Sequence, residues 1–155
     1  LVIHIIFGTW LFFGNRSARP IKYHKLDTVE ASLPSRLMIY TGALILAYLV
    51  YHILHFTIQS IDPSFLTFTD AESRHDVFHM VVVGFRNHIA SAIYMTCMLI
   101  LGLHIYHGGS SIFQSLGFNN TKYRPLVDKI GPLWAVVVGA GFFAVPLMVV
   151  LGWVK

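Results

Sequence analysis

Charge is what this chain has least of. Of its 155 residues 12% are charged, about half the share in an ordinary soluble domain, which is roughly 25%. Only seven of them are Asp or Glu. So few charges cannot cover a water-facing surface. With 55% hydrophobic residues and a mean hydropathy of +0.66, the composition fits neither a disordered segment nor a soluble domain. Cysteine is nearly absent as well. Cys97 stands alone, which excludes an internal disulfide and every multi-cysteine metal motif. There is no repeat of solenoid period and no low-complexity tract. Against these shortages stands one excess, nine histidines.

Four apolar stretches hold most of the hydrophobic residues, and the polar segments between them hold nearly all the charge. Each reads as a membrane helix, at about residues 1–14, 37–58, 89–109 and 133–154, giving an all-α transmembrane bundle in a single membrane-anchor domain over 1–155. The first is shorter than the roughly 20 residues that span a bilayer and has no capping residue, so the chain reads as starting inside a helix, with no recognisable signal peptide. Pro34-Ser35-Arg36 marks the start of the second. A short amphipathic element over 77–85 precedes the third and suits the membrane interface. The fourth follows Gly131-Pro132 and carries Pro146, which is expected to kink it.

The loops give the orientation. Arg16, Arg19, Lys22, Lys25 and Arg36 lie between the first two stretches, against Asp27 and Glu30; Lys122, Arg124 and Lys129 follow the third, against Asp128. In an alternating topology these two segments share a side, and their basic character assigns them to the cytoplasm. The intervening loop carries Asp62, Asp70, Glu72 and Asp76 against Arg74 and Arg86, as an external loop can. Positive charge placed in this way serves membrane topology, not nucleic-acid binding.

An ionisable group inside a membrane is a functional candidate by default, and here every such group is a histidine. No Asp, Glu, Lys or Arg falls within the apolar core of a stretch, so a carboxylate proton relay or charge-lined ion path has no residues to use. His4, His52, His55 and His104 lie in the spans and His107 at a boundary; His24, His75, His79 and His88 lie in loops or at interfaces, where solvation accounts for them. With a rise of about 1.5 Å per residue, His4 and His104 reach similar depths, roughly 15 Å from the inner edge, on two different helices. His52 lies roughly 22 Å from that edge, in the outer half, with no partner at its level.

Two neutral imidazoles at one depth on two helices are what a six-coordinate b-type haem requires, the porphyrin leaving two axial positions. His52 and His55, like His104 and His107, are i, i+3 pairs on one helix and cannot bracket a flat macrocycle, so the deeper member of each is the axial candidate. His55 and His107 are then placed to bond a propionate, a quinone oxygen or lipid. Gly8, Gly42, Gly102, Gly108 and Gly109 give room for a planar guest, and close helix packing explains small residues equally well. Phe12, Phe13, Tyr48 and Tyr51 read as packing and interfacial belt.

Four segments together, LVIHIIFGTWLFFGNRSARP at 1–20, SRLMIYTGALILAYLVYHILHF at 35–56, MVVVGFRN at 80–87 and LGLHIYHGGSSIFQSLGFNNTKYRPL at 101–126, make the chain resemble the cytochrome b membrane-anchor subunit of succinate dehydrogenase and fumarate reductase, of the single-subunit, five-helix, di-haem type. Order and spacing agree over essentially the whole chain. The resemblance implies family helices two to five, with the first family helix and its histidine ligand absent. It implies that His4 and His104 are the axial pair of the haem nearer the cytoplasm, and that His52 supplies one ligand of an outer haem whose other ligand is not in this sequence. Arg36 lies where propionates are expected, and serves as a positive-inside anchor equally well.

The expected function is that of a haem-bearing electron-transfer anchor in a cell inner membrane. The resemblance implies a flavoprotein subunit that oxidises succinate, an iron–sulfur subunit docked on the basic loops, and a membrane quinone as partners, with no catalytic residue in this chain. The fumarate-reducing direction is the alternative within the family. From another class, a haem-free anchor or a transporter subunit using histidine for metal or protons fits the composition too.

Overall fold

The computed structural model describes residues 1–18, 21, 32–118 and 120–155. Arg19, Lys22, His24, Lys25, Asp27 and Glu30, on which the basic first loop partly rests, lie outside them. Among the described residues the protein is all-helical, apart from one isolated antiparallel bridge between Thr69 and His75.

The first helix, α1, runs over Val2–Ser17 and buries none of its residues. The second, α2 (Leu33–His52), starts where Ser32 accepts a hydrogen bond from Ser35 N–H, with Pro34 in the first turn, where its missing N–H is no loss. A π-helical turn, Ile53–Thr57, continues it. Gln59 then closes the helix in a left-handed conformation (φ 59°), and Ser60 N–H returns to the Leu54 carbonyl at 3.0 Å. After a 3-10 turn at Pro63–Thr67 comes α3 (Val77–Arg86), capped by Asp76, whose carboxylate accepts from His79 N–H at 2.8 Å. Asn87 breaks the chain direction and caps α4 (His88–Ser115) by accepting from Ile89 and Ala90 N–H. The last rod consists of α5 (Arg124–Trp134), a π turn at Ala135–Ala140 and α6 (Gly141–Val150).

Three rods are long and apolar enough to cross a membrane: Leu33–Thr57, His88–Ser115 and Arg124–Val150. This makes the chain a multi-pass membrane protein by length and composition. At 16 residues, α1 is about 24 Å long, short of the roughly 30 Å hydrocarbon layer. The short amphipathic element expected before the third span is α3, which buries Met80, Val82, Gly84 and Phe85.

Two rods differ in extent from the sequence expectation, each for a physical reason. The third span continues to Ser115, past residue 109, because its apolar run ends while its helix does not. Its 28 residues measure about 42 Å, so a polar end projects beyond the hydrocarbon. The fourth begins at Arg124, not 133, because Gly131-Pro132 lies inside the helix instead of before it. Ser110 on α4 packs against this stretch. Its hydroxyl donates to the Val127 carbonyl at 2.9 Å and accepts from Gly131 N–H at 3.2 Å. The helix runs on through Gly131-Pro132 with these contacts added to it. Gly131 is required there, since a Cβ would sit inside the Tyr106 carbonyl. Pro146 is buried within a helix that continues through it.

The buried core sits toward one end. Val82 and Phe85 of α3, Tyr94 of α4 and Val149 of α6 form it, with Tyr48, Tyr51 and Phe56 packed against them. The loop after α2 folds over this end, where Phe65 is 1% exposed.

Candidate functional site

Helices α2 and α4 run antiparallel in a fixed register. Met38 meets Gly108, Thr41 meets His104, and Tyr48 meets Tyr94. This pairing creates two histidine sites, one toward the start of α2 and one toward its end.

At the first, His104 of α4 faces His4 of α1, with ring centroids 6.1 Å apart and planes at 83°. The depth match expected from the sequence thus brings the two rings together. One metal atom between two ring nitrogens, with bonds of about 2 Å and about 1.1 Å from each nitrogen to its ring centre, gives a centroid separation of about 6 Å. Edge-to-face ring contact covers the same range. His104 Nδ1 lies 2.9 Å from Thr41 Oγ1 on α2. Only the other nitrogen, Nε2, is left for a ligand. Gly42 clears the way for this ring, since a Cβ there would stand 3.3 Å from His104 Cε1. A Cβ at Gly8 would meet nothing within 4 Å. Among the described residues no group of three His, Cys, Asp or Glu could hold a metal ion. A bare ion would find two protein donors here, whereas a cofactor that brings four equatorial donors needs only two.

His107 lies one turn beyond His104 and is half-buried. Ser111 donates to the His107 carbonyl at 2.8 Å, so its oxygen accepts from His107 Nε2–H at 3.1 Å, which leaves Nδ1 free as an acceptor. Arg36 is exposed in the first turns of α2, about 7.5 Å along the axis from Thr41 and on the same side of the ring pair as His107.

The second site is closed. Tyr94 Oη lies 3.1 Å from His55 Nδ1 and 3.4 Å from His52 Nδ1. His55 is 4% exposed, stacked on Tyr51 and walled by Phe56 and Phe65. His52 is half-buried between Tyr48 and Phe56. Tyr94 has one proton for two imidazoles, so it donates to one and accepts from the other. No histidine of another helix faces His52 among the described residues. Below this cluster the exposed His75 donates from Nδ1 to the Phe68 carbonyl, and its Nε2 accepts from the Gln59 amide at 3.0 Å. Gln59, 7% exposed, also points its amide at Met80 Sδ at 3.2 Å, and its Oε1 is buried without a partner.

The small residues divide. Gly42 serves His104, not His52, while Gly102 packs on the Ala135 carbonyl and Gly139, and Gly109 packs on Gly131. Tyr48 and Tyr51 are packing residues, as their pattern suggested. Thr41 and Tyr94 are the residues that sequence reasoning passed over. The adjacency of Thr41 to Gly42, and the tyrosine in the second turn of α4, were the available signals.

Outside the spans, Arg74 folds the loop that precedes α3. Its backbone N–H, its guanidinium and then the Glu72 N–H all bond Asp70, which holds this carboxyl below its ordinary range. No family model matches the chain, and no curated protein or solved structure matches it.

Proposed function

We propose that this chain is a haem b-bearing membrane anchor of a succinate:quinone oxidoreductase, passing electrons between an iron–sulfur subunit and a membrane quinone. The observation that carries the reading is the His4–His104 pair. The 6.1 Å between the centroids of two rings on separate helices is a spacing that a bridging metal atom would give, and Nδ1 of His104 is already engaged by Thr41.

His4 and His104 would hold the cofactor through their ring nitrogens. Bound there, a haem supplies a one-electron carrier with both axial positions filled, which leaves no open iron position for oxygen. The chain's own residues do the rest. Thr41 orients the His104 ring, Gly42 lets it lie close against α2, and Arg36 and His107 offer a cation and an imidazole on one side, where propionates belong. The apolar surfaces of the rods keep water out. In this reading α1 serves as a fourth membrane helix, the basic segments face the cytoplasm and the flavoprotein–iron–sulfur pair, and the membrane is the cell's inner membrane. His52 would supply one ligand of an outer haem, whose other ligand is not in this sequence. His55, walled in by Phe56 and Phe65, takes no part in ligation.

The test is a dithionite-reduced minus oxidised spectrum of the chain in isolated membranes, with haem counted per chain by pyridine haemochrome. A low-spin b-type signal at one haem or more per chain is expected. A chain that inserts fully and shows no Soret band overturns the proposal.

A further inference from the structure

We propose that Thr41 is a positioning residue that selects the tautomer of His104 and so sets the strength of the nitrogen this ring offers toward α1. The inference rests on the haem reading for its electronic consequence, but its geometric part stands on this chain alone. Thr41 is buried, at 8% exposed, and occupies the interior of α2. A threonine in a helix can turn its hydroxyl back onto the carbonyls one turn earlier. Here Oγ1 lies 3.0 Å from the Leu37 carbonyl and 3.1 Å from that of Met38. Carbonyl oxygens only accept, so these two contacts are hydrogen bonds only through the single hydroxyl proton, and we assign it to them. The remaining lone pairs of Oγ1 face His104 Nδ1 at 2.9 Å, and that contact is a hydrogen bond only if Nδ1 carries the proton. A neutral imidazole has one N–H, so Nε2 presents a bare lone pair to the space between α4 and α1.

The kind of acceptor matters as much as its presence. An acceptor behind a ligating histidine holds its tautomer and increases its basicity. A carboxylate in this position would draw the proton strongly and make the ring nearly imidazolate; a hydroxyl whose own proton is committed elsewhere draws on it weakly. The ring is therefore held as a neutral imidazole of moderate donor strength. Removing the acceptor weakens the donor nitrogen and favours the reduced state of any iron bound to it.

Thr41→Val keeps the shape and deletes the acceptor; Thr41→Ser keeps the hydroxyl. In the assembled membrane complex, redox titration of the inner haem is expected to show about a threefold shift toward the reduced form in Thr41→Val, about 30 mV upward at 59 mV per tenfold for one electron, and a return toward the parent value in Thr41→Ser. An unchanged potential in Thr41→Val with haem retained overturns the inference. A second measurement needs no haem: nitrogen NMR of the metal-free chain labelled in histidine, with His104 assigned by its loss in His104→Gln. Protonated Nδ1 in the parent, lost as the dominant form in Thr41→Val, supports the inference even if the parent proves to bind no haem, or if Thr41→Val binds none. Protonated Nε2 in the parent overturns it. A spectrum without haem together with the Nδ1 tautomer sinks the cytochrome reading and leaves the role of Thr41 in place.

Discussion

Tyr94 and His104 stand about 15 Å apart along α4, and the histidines around them are treated in opposite ways. Near His104 the rings belong to two helices, α1 and α4, and Thr41 engages only the nitrogen facing α2. Near Tyr94 both rings belong to the α2 rod, both turn Nδ1 to the same hydroxyl, and aromatic side chains close around them. A buried histidine is therefore informative through its partners, not through its burial. One that spends a nitrogen on a neutral hydroxyl from a different helix, opposite a second ring, is arranged to hold something; one enclosed by a tyrosine and three phenyl or phenol rings is arranged to hold the helices together.

The sharpest way to break this contrast is to remove one ring from each end. His104→Ala is expected to abolish the inner haem's spectrum while the chain still inserts, whereas His55→Ala keeps that spectrum and lowers the unfolding midpoint in detergent. Loss of the spectrum in His55→Ala alone would merge the two ends into one site. Next in size is Tyr94. Truncation to Ala opens a cavity in the core and should cost about 3–5 kcal/mol; Tyr94→Phe keeps the ring, leaves a buried imidazole nitrogen unpaired and should cost about 1–3 kcal/mol. Denaturant titration in micelles checks both, and an unchanged inner spectrum in Tyr94→Phe confirms that the ends are independent.

The smallest effect belongs to the loop that precedes α3. Asp70 has its folded pKa below the ordinary 3.8, because Arg74 and then Glu72 N–H bond its carboxylate form. A depressed carboxyl stabilises the folded loop above its unfolded pKa, and that contribution fades as the pH falls from 3.8 through the folded value. Limited proteolysis between Thr69 and His75 should accelerate over that acid range in the parent, and Asp70→Asn should remove the dependence.

Much of the architecture could be read from hydropathy, because three rods are long and apolar enough to cross a membrane. The facing of His4 and His104 could be read too, since depth follows from rise per residue once direction is known. What resisted was anything that depends on the register between helices. Thr41 meets His104 only because α2 and α4 are antiparallel with Met38 against Gly108, and a single sequence carries no signal of that offset. The start of α5 was misjudged for a related reason. Gly131-Pro132 has the local chemistry of a break, and the Ser110 hydroxyl that bonds this turn of the continuing helix sits on α4.

That hydroxyl also ties α4 to the last rod. Its two bonds, to the Val127 carbonyl and from the Gly131 N–H, exist only when the helices lie side by side. Between apolar helices in lipid, interhelical hydrogen bonds of this kind favour association, so the contact gives α4 and the α5–α6 rod a polar reason to stay paired within the bilayer.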